Sequence, residues 1–167
     1  MLMVFRFRVL SDENDHFVRE YEVSYDMTLL DFHYFICRDL KFGDHAMSSF
    51  FLSDKFWNRK AEFTLFDTEE NDPLAPQAMD KVLLGQVVHN EHERLIYIFD
   101  QLNERALFLE LVATKKAENG VKYPRVTLSE GEAPNPEGGV PEIGGSIFDE
   151  AMDEFNDFEG DDSYDDE

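Results

Sequence analysis

From Thr28 to Gly43 the chain reads as one capped helix with a single apolar stripe, and such a stripe must be covered. Thr28 suits the N-cap: its hydroxyl accepts from the Asp31 amide, and the Asp31 carboxylate can reach back to the Thr28 amide. Met27 and Phe32 form a hydrophobic staple around the cap. Asp31 also sits at the positive end of the helix dipole. Leu29, Phe32, Ile36 and Leu40 recur at helical spacing, widened by Leu30 and Cys37, while Asp31, Arg38 and Asp39 fall largely on the other side. Gly43 is the expected stop, since glycine takes the left-handed conformation at little cost. One helix cannot bury this stripe alone, so the chain must supply a sheet.

Strand signals surround the helix. Met3, Phe5, Phe7 and Val9 alternate with Arg6 and Arg8, the pattern of a half-buried strand. The turn residues SDEND (11–15) lead to a second strand carrying Phe17, Tyr21 and Val23 against Glu20 and Glu22, with Arg19 breaking the inward set. Ser49 to Leu52 and Glu62 to Phe66 follow as strands, separated by the loop DKFWNRK with the only tryptophan. Met79 to Val88 suggests a short helix. Leu95 to Phe99 and Ala106 to Ala113 make a hairpin around Asp100 to Arg105, its second strand leucine-rich on both faces and so expected at the centre of the sheet. Tyr123 to Thr127 adds a short extended piece. The predicted fold is α+β, with one main helix crossing a mixed, β-grasp-like (ubiquitin-like) sheet. The predicted division is a globular domain over 1–125, a Gly/Pro-rich loop or linker over 126–145, and an acidic tail over 146–167.

Charge narrows the function. The net charge is −22, and all 15 Lys and Arg lie at or before Arg125, whereas 15 of the 37 acidic residues follow it. Nucleic acid and anionic membrane both need cationic neutralisation, so the balance argues against either as partner. The single cysteine excludes an intramolecular disulfide and suits a reducing compartment. The N-terminus carries arginines inside its apolar run, unlike a signal peptide, and no apolar stretch approaches membrane-spanning length. A cytoplasmic protein is expected.

The run from Met27 to Phe51, the strand pair Leu95 to Val112, and YPRVTLSEGEAPNPEGG at Tyr123 to Gly139 together resemble the plasmid pRiA4b ORF-3-like family, over roughly residues 3 to 140. The resemblance implies an elaborated ubiquitin-like α+β domain, often labelled an insertion-element passenger, and no established biochemical activity. Family members carry an Asp-Phe-Gly-Asp-Asp-Trp-x-His run at the second hairpin. This chain keeps Asp100 and then reads QLNERALF. Cysteines that members hold near the YPR segment are replaced here by Val126, Ala133 and their neighbours. A metal or reaction served by those residues would be lost in this chain. The passenger label points to a resolvase, but no matching cluster of catalytic serine and arginine occurs.

Candidate sites are few. His33 and Cys37 have a chelating i, i+4 spacing, but nothing nearby completes a ligand set, and Cys37 is expected as a small core residue. No cofactor is expected. His89 and His92 fall in a polar turn. There is no G-x-S-x-G, H-E-x-x-H or phosphate-binding glycine loop. Asp100, Tyr123 and Arg125 are the candidates for a small pocket taking an anionic or peptide ligand. In the tail, Ile147, Phe148, Met152, Phe155 and Phe158 line one side of an acidic helix that starts at the possible capping box of Ser146 and Asp149. Such a stripe fits a partner's groove. The expectation is a non-enzymatic interaction module with an unidentified protein partner, using its acidic arm. The alternative is a degenerate small-ligand or metal-binding domain.

Overall fold

Among the described residues, alternation, capping and turn chemistry resolve into eight strands and two helices. A computed structural model describes residues 2–43, 47–67 and 72–136. In chain order the elements are β1 (Met3–Ser11), β2 (Val18–Ser24), α1 (Leu29–Leu40), β3 (Ser49–Ser53), β4 (Arg59–Thr64), β5 (Gln77–Ala78), a 3-10 turn (Met79–Lys81), α2 (Leu84–Val87), β6 (Arg94–Asp100), β7 (Arg105–Lys116) and β8 (Arg125–Glu130). They form one sheet in the order β5-β4-β3-β6-β7-β1-β2-β8. Only β4 and β5 run parallel.

The helix covers one face of this sheet. Thr28 caps it, its hydroxyl accepting from the Asp31 amide at 3.0 Å. Leu29, Phe32, Ile36, Cys37 and Leu40 are buried as the spacing predicts, and Phe35 joins them. Phe32 is central: it stacks on Phe50 at 5.6 Å and meets Phe7 at 5.4 Å. The helix ends two residues before the expected Gly43. Lys41 takes the left-handed conformation (φ 61°), and the Phe42 amide donates back to the Cys37 carbonyl at 2.9 Å. The cause is packing. Closing at Lys41 turns Phe42 into the core against Phe99, at 4.8 Å.

β7 is central, as its two apolar faces suggest, lying between β6 and β1. Leu107, Leu109 and Leu111 enter the main core under α1. On the opposite face Ala106 joins Ile96 and Ile98 in a smaller cluster covered by Phe51, Trp57 and Phe108.

The structure corrects two expectations. A ubiquitin-like grasp pairs its first strand with a parallel neighbour, whereas both neighbours of β1 here, β2 and β7, run antiparallel to it. The α+β mixed sheet stands, and its strand connections differ from the grasp. The body also runs past residue 125. β8 pairs with β2 from Val18–Glu130 to Glu22–Arg125, so what reads as the start of a linker is an edge strand. The compact body runs through Ala133. The acidic arm of 146–167, with Ile147, Phe148, Met152, Phe155 and Phe158, lies outside the described residues.

Candidate functional site

The outward residues of β1 and β2 are charged because that face of the sheet meets water, and the register sets opposite charges across from one another. Arg6 pairs with Glu22 and Arg8 with Glu20, both at 2.9 Å. Glu22 collects two more cations, Lys115 of β7 at 2.8 Å and Arg125 of β8 at 2.6 Å. Its side chain is fully covered. Burial works to raise its pKa, but hydrogen bonds from Lys115, Arg6 and Arg125 outweigh it and hold the carboxyl at about 2. Tyr123 stays with this cluster, its ring 5.7 Å from the Arg125 guanidinium.

Asp100 is elsewhere. It closes the β6–β7 turn, accepting from the Asn103 side chain at 2.9 Å and facing Arg105 at 3.6 Å. The Asn103 side chain lowers its pKa against the opposing effect of burial, and Arg105 adds to the lowering. Arg105 in turn grips Glu13 with two hydrogen bonds, at 2.8 and 2.9 Å. Arg105 pairs with Asp100, while Ala113 pairs with Arg6 in the Glu22 cluster. At the strand rise, the stretch from Arg105 to Ala113 spans roughly 26 Å. β8 is also separated from β6 by β7, β1 and β2. Asp100 therefore shares no pocket with Tyr123 and Arg125, which remain together.

His33 and Cys37 are buried beneath β6. His33 Nδ1 is 2.7 Å from the Tyr97 hydroxyl, Cys37 Sγ is 3.4 Å from the same oxygen, and that hydroxyl donates to Ser48 at 3.2 Å. Burial, with Cys37 nearby, pushes the Tyr97 pKa well up. Tyr97 is the partner that sequence spacing alone does not reveal. Among the described residues, no group of three or more His, Cys, Asp or Glu is placed to hold a metal ion. Arg19, which interrupts the inward set of β2, is also structural: it reaches Asp39 of α1 at 3.5 Å and the Glu130 and Gly131 carbonyls at 2.8 and 3.1 Å.

The open space lies at the other end of the sheet. β5 pairs with β4 only at Phe63 and Thr64. Pro73 and Pro76 cannot donate to the ladder, so this segment stands away from the β4 edge. The gap is a groove of about 1110 Å³ between Lys60–Phe63 and Pro73–Gln77, with Leu52, Val82 and Val87 among its apolar lining. Leu74 on its rim is 91% exposed. Next to it, the loop of 54–58 folds over the open face of the sheet. Asp54 organises it, accepting from the Phe56 and Asn58 amides at 2.8 and 2.9 Å. These bonds hold Trp57 in the left-handed conformation, φ 66°. The Asp54 and Asn58 that frame the tryptophan are the sequence signal for this turn.

Comparison with known proteins agrees with this architecture. The crystal structure of a protein of unknown function, MM3350 from Methanosarcina mazei Go1, is similar with a TM-score of 0.69 and 18% identity, covering 84% of this chain and 76% of that one. At that identity the likeness concerns the fold alone. No curated protein matches the chain. A family profile described as plasmid pRiA4b ORF-3-like protein matches residues 3–165. On that match, the chain belongs to the plasmid pRiA4b ORF-3-like family.

Proposed function

We propose that this protein is a non-enzymatic protein-interaction module. The observation that carries the reading is how the body uses its charged groups. Glu22, Arg125, Asp100, Arg105 and Arg19 are each closed on partners within the sheet or between sheet and helix. None of them lines the groove beside β4. That groove joins apolar walls to an exposed leucine, a combination suited to a polypeptide partner. The acidic arm supplies the second contact surface, with Ile147, Phe148, Met152, Phe155 and Phe158 as its apolar side.

The test is capture of partners from host extract by the full chain and by two full-length variants, followed by binding measurements on purified partners. One variant carries Phe148→Ser and Phe155→Ser in the arm. The other carries Lys60→Glu and Leu74→Glu in the groove. Loss of a saturable partner in one variant assigns the contact to that surface. Equal binding by all three proteins to every purified partner would refute both surfaces.

A further inference from the structure

The loop of 54–58 and the strands beside it set three cations on three aromatic rings. Arg94 lies over Trp57 at 4.5 Å, Arg59 over Phe51 at 5.1 Å and Lys55 over Phe56 at 5.1 Å. Trp57 also meets Phe108 edge-on at 5.2 Å. Phe51, Trp57 and Phe108 pack on Ile96 and Ile98 beneath them, so this part of the face is a built surface. Two features set it apart. Phe56 is 71% exposed at the tip of the loop. A bulky aromatic residue at φ 66° is strained, so Trp57 is held there by its surroundings. Charge is the second feature. The chain has 37 acidic residues against 15 basic ones, yet among the described residues neither Lys55 nor Arg59 has a carboxylate partner. Of these three cations, among the described residues only Arg94 has an acidic neighbour, Glu110 at 3.5 Å.

We propose that this basic and aromatic face docks an acidic segment of a partner protein, one in which carboxylates alternate with aromatic or aliphatic anchors. The inference rests on the interaction reading above and adds the surface and the partner's chemistry. Lys55 and Arg59 take the carboxylates, and the exposed Phe56 ring beside Trp57 takes an apolar anchor. The same face offers aromatic stacking to a single-stranded nucleic acid. The three stacked cations already cover ring faces that bases would need, which disfavours that occupant.

Trp57 is the only tryptophan, so its emission reports on this face directly. The full-length protein is titrated with a synthetic, end-blocked 12-residue peptide in which Asp and Glu alternate with Phe and Leu. The expected result is a saturable emission change, weakened about tenfold by Phe56→Ser or Arg59→Glu and unaltered by Lys122→Glu on the far side of the sheet. Binding also weakens several-fold as salt rises. Thermal melts confirm that each variant is folded. The proposal is overturned by no saturable change up to millimolar peptide, by equal binding of a Lys-for-Asp/Glu peptide, by indifference to both face variants, or by tighter binding of a 12-nucleotide single strand. If the peptide fails while a captured partner still binds the full chain, this face falls and the interaction reading stands.

Discussion

Replacing Glu22 by glutamine tests whether the charge cluster holds the far side of the sheet together. The carboxyl faces Arg6, Lys115 and Arg125 from three other strands. Lowering its pKa from 4.5 to about 2 corresponds to about 3 kcal/mol of stability at neutral pH. Arg6 and Arg125 are each more than a third exposed, so solvent screening trims this toward about 2 kcal/mol. The folded value lies below the unfolded one. The contribution is therefore complete above about pH 4.5 and is lost as pH falls toward 2. Urea unfolding of wild type and Glu22→Gln from pH 7 to pH 3 reads the difference. The variant should be weaker by about 2–3 kcal/mol at pH 7, and the gap should narrow steadily below pH 4.5. A gap under about 0.5 kcal/mol at pH 7, or one that stays constant to pH 3, would refute the assignment.

Other substitutions probe separate links. Lys41→Gly relieves the left-handed C-cap and should raise stability by about 0.5–1 kcal/mol, seen as a melting point a few degrees higher. Gly131→Ala should lower the urea midpoint by the equivalent of about 2 kcal/mol, because φ is +73° and the new Cβ would sit 2.3 Å from the His16 carbonyl oxygen. Tyr97→Phe removes the hydroxyl shared by His33, Cys37 and Ser48 and should cost about 1–3 kcal/mol in chemical denaturation. In the native wild type, Cys37 is 4% exposed and should react with a thiol reagent only at the rate of transient opening.

Much of the architecture was legible because it follows from short-range periodicity. The alternation of Phe5, Phe7 and Val9 against Arg6 and Arg8 gave both the strand and its inward face. Thr28 and the stripe from Leu29 to Leu40 gave the helix. What local pattern could not give was pairing between distant segments. The direction of β7 against β1 depends on the whole path between them, so the grasp-like expectation had no local check. β8 looked like linker because its polar alternation is that of an edge strand, and edge strands are weakly patterned. The candidate site was less legible still. Tyr123 and Arg125 adjoin in sequence and in space, but Asp100 was grouped with them on chemistry alone. Glu22, the residue that occupies Arg125, lies 103 positions earlier in the chain. The aromatic face is likewise assembled from residues 51, 57 and 108, which no window in the sequence brings together.

The cluster around Glu22 also orders events in time. Its members come from positions 6, 22, 115 and 125, so the seat for Arg125 does not exist until the first hairpin and the long strand β7 have met. During synthesis that is nearly the last step of building the body. β8 is thus a latch that closes on a finished assembly and takes no part in guiding it. A chain cut short just before Arg125 would hold a sheet whose Glu22 faces only Arg6 and Lys115, with the outer edge of β2 bare and open to pairing with another strand.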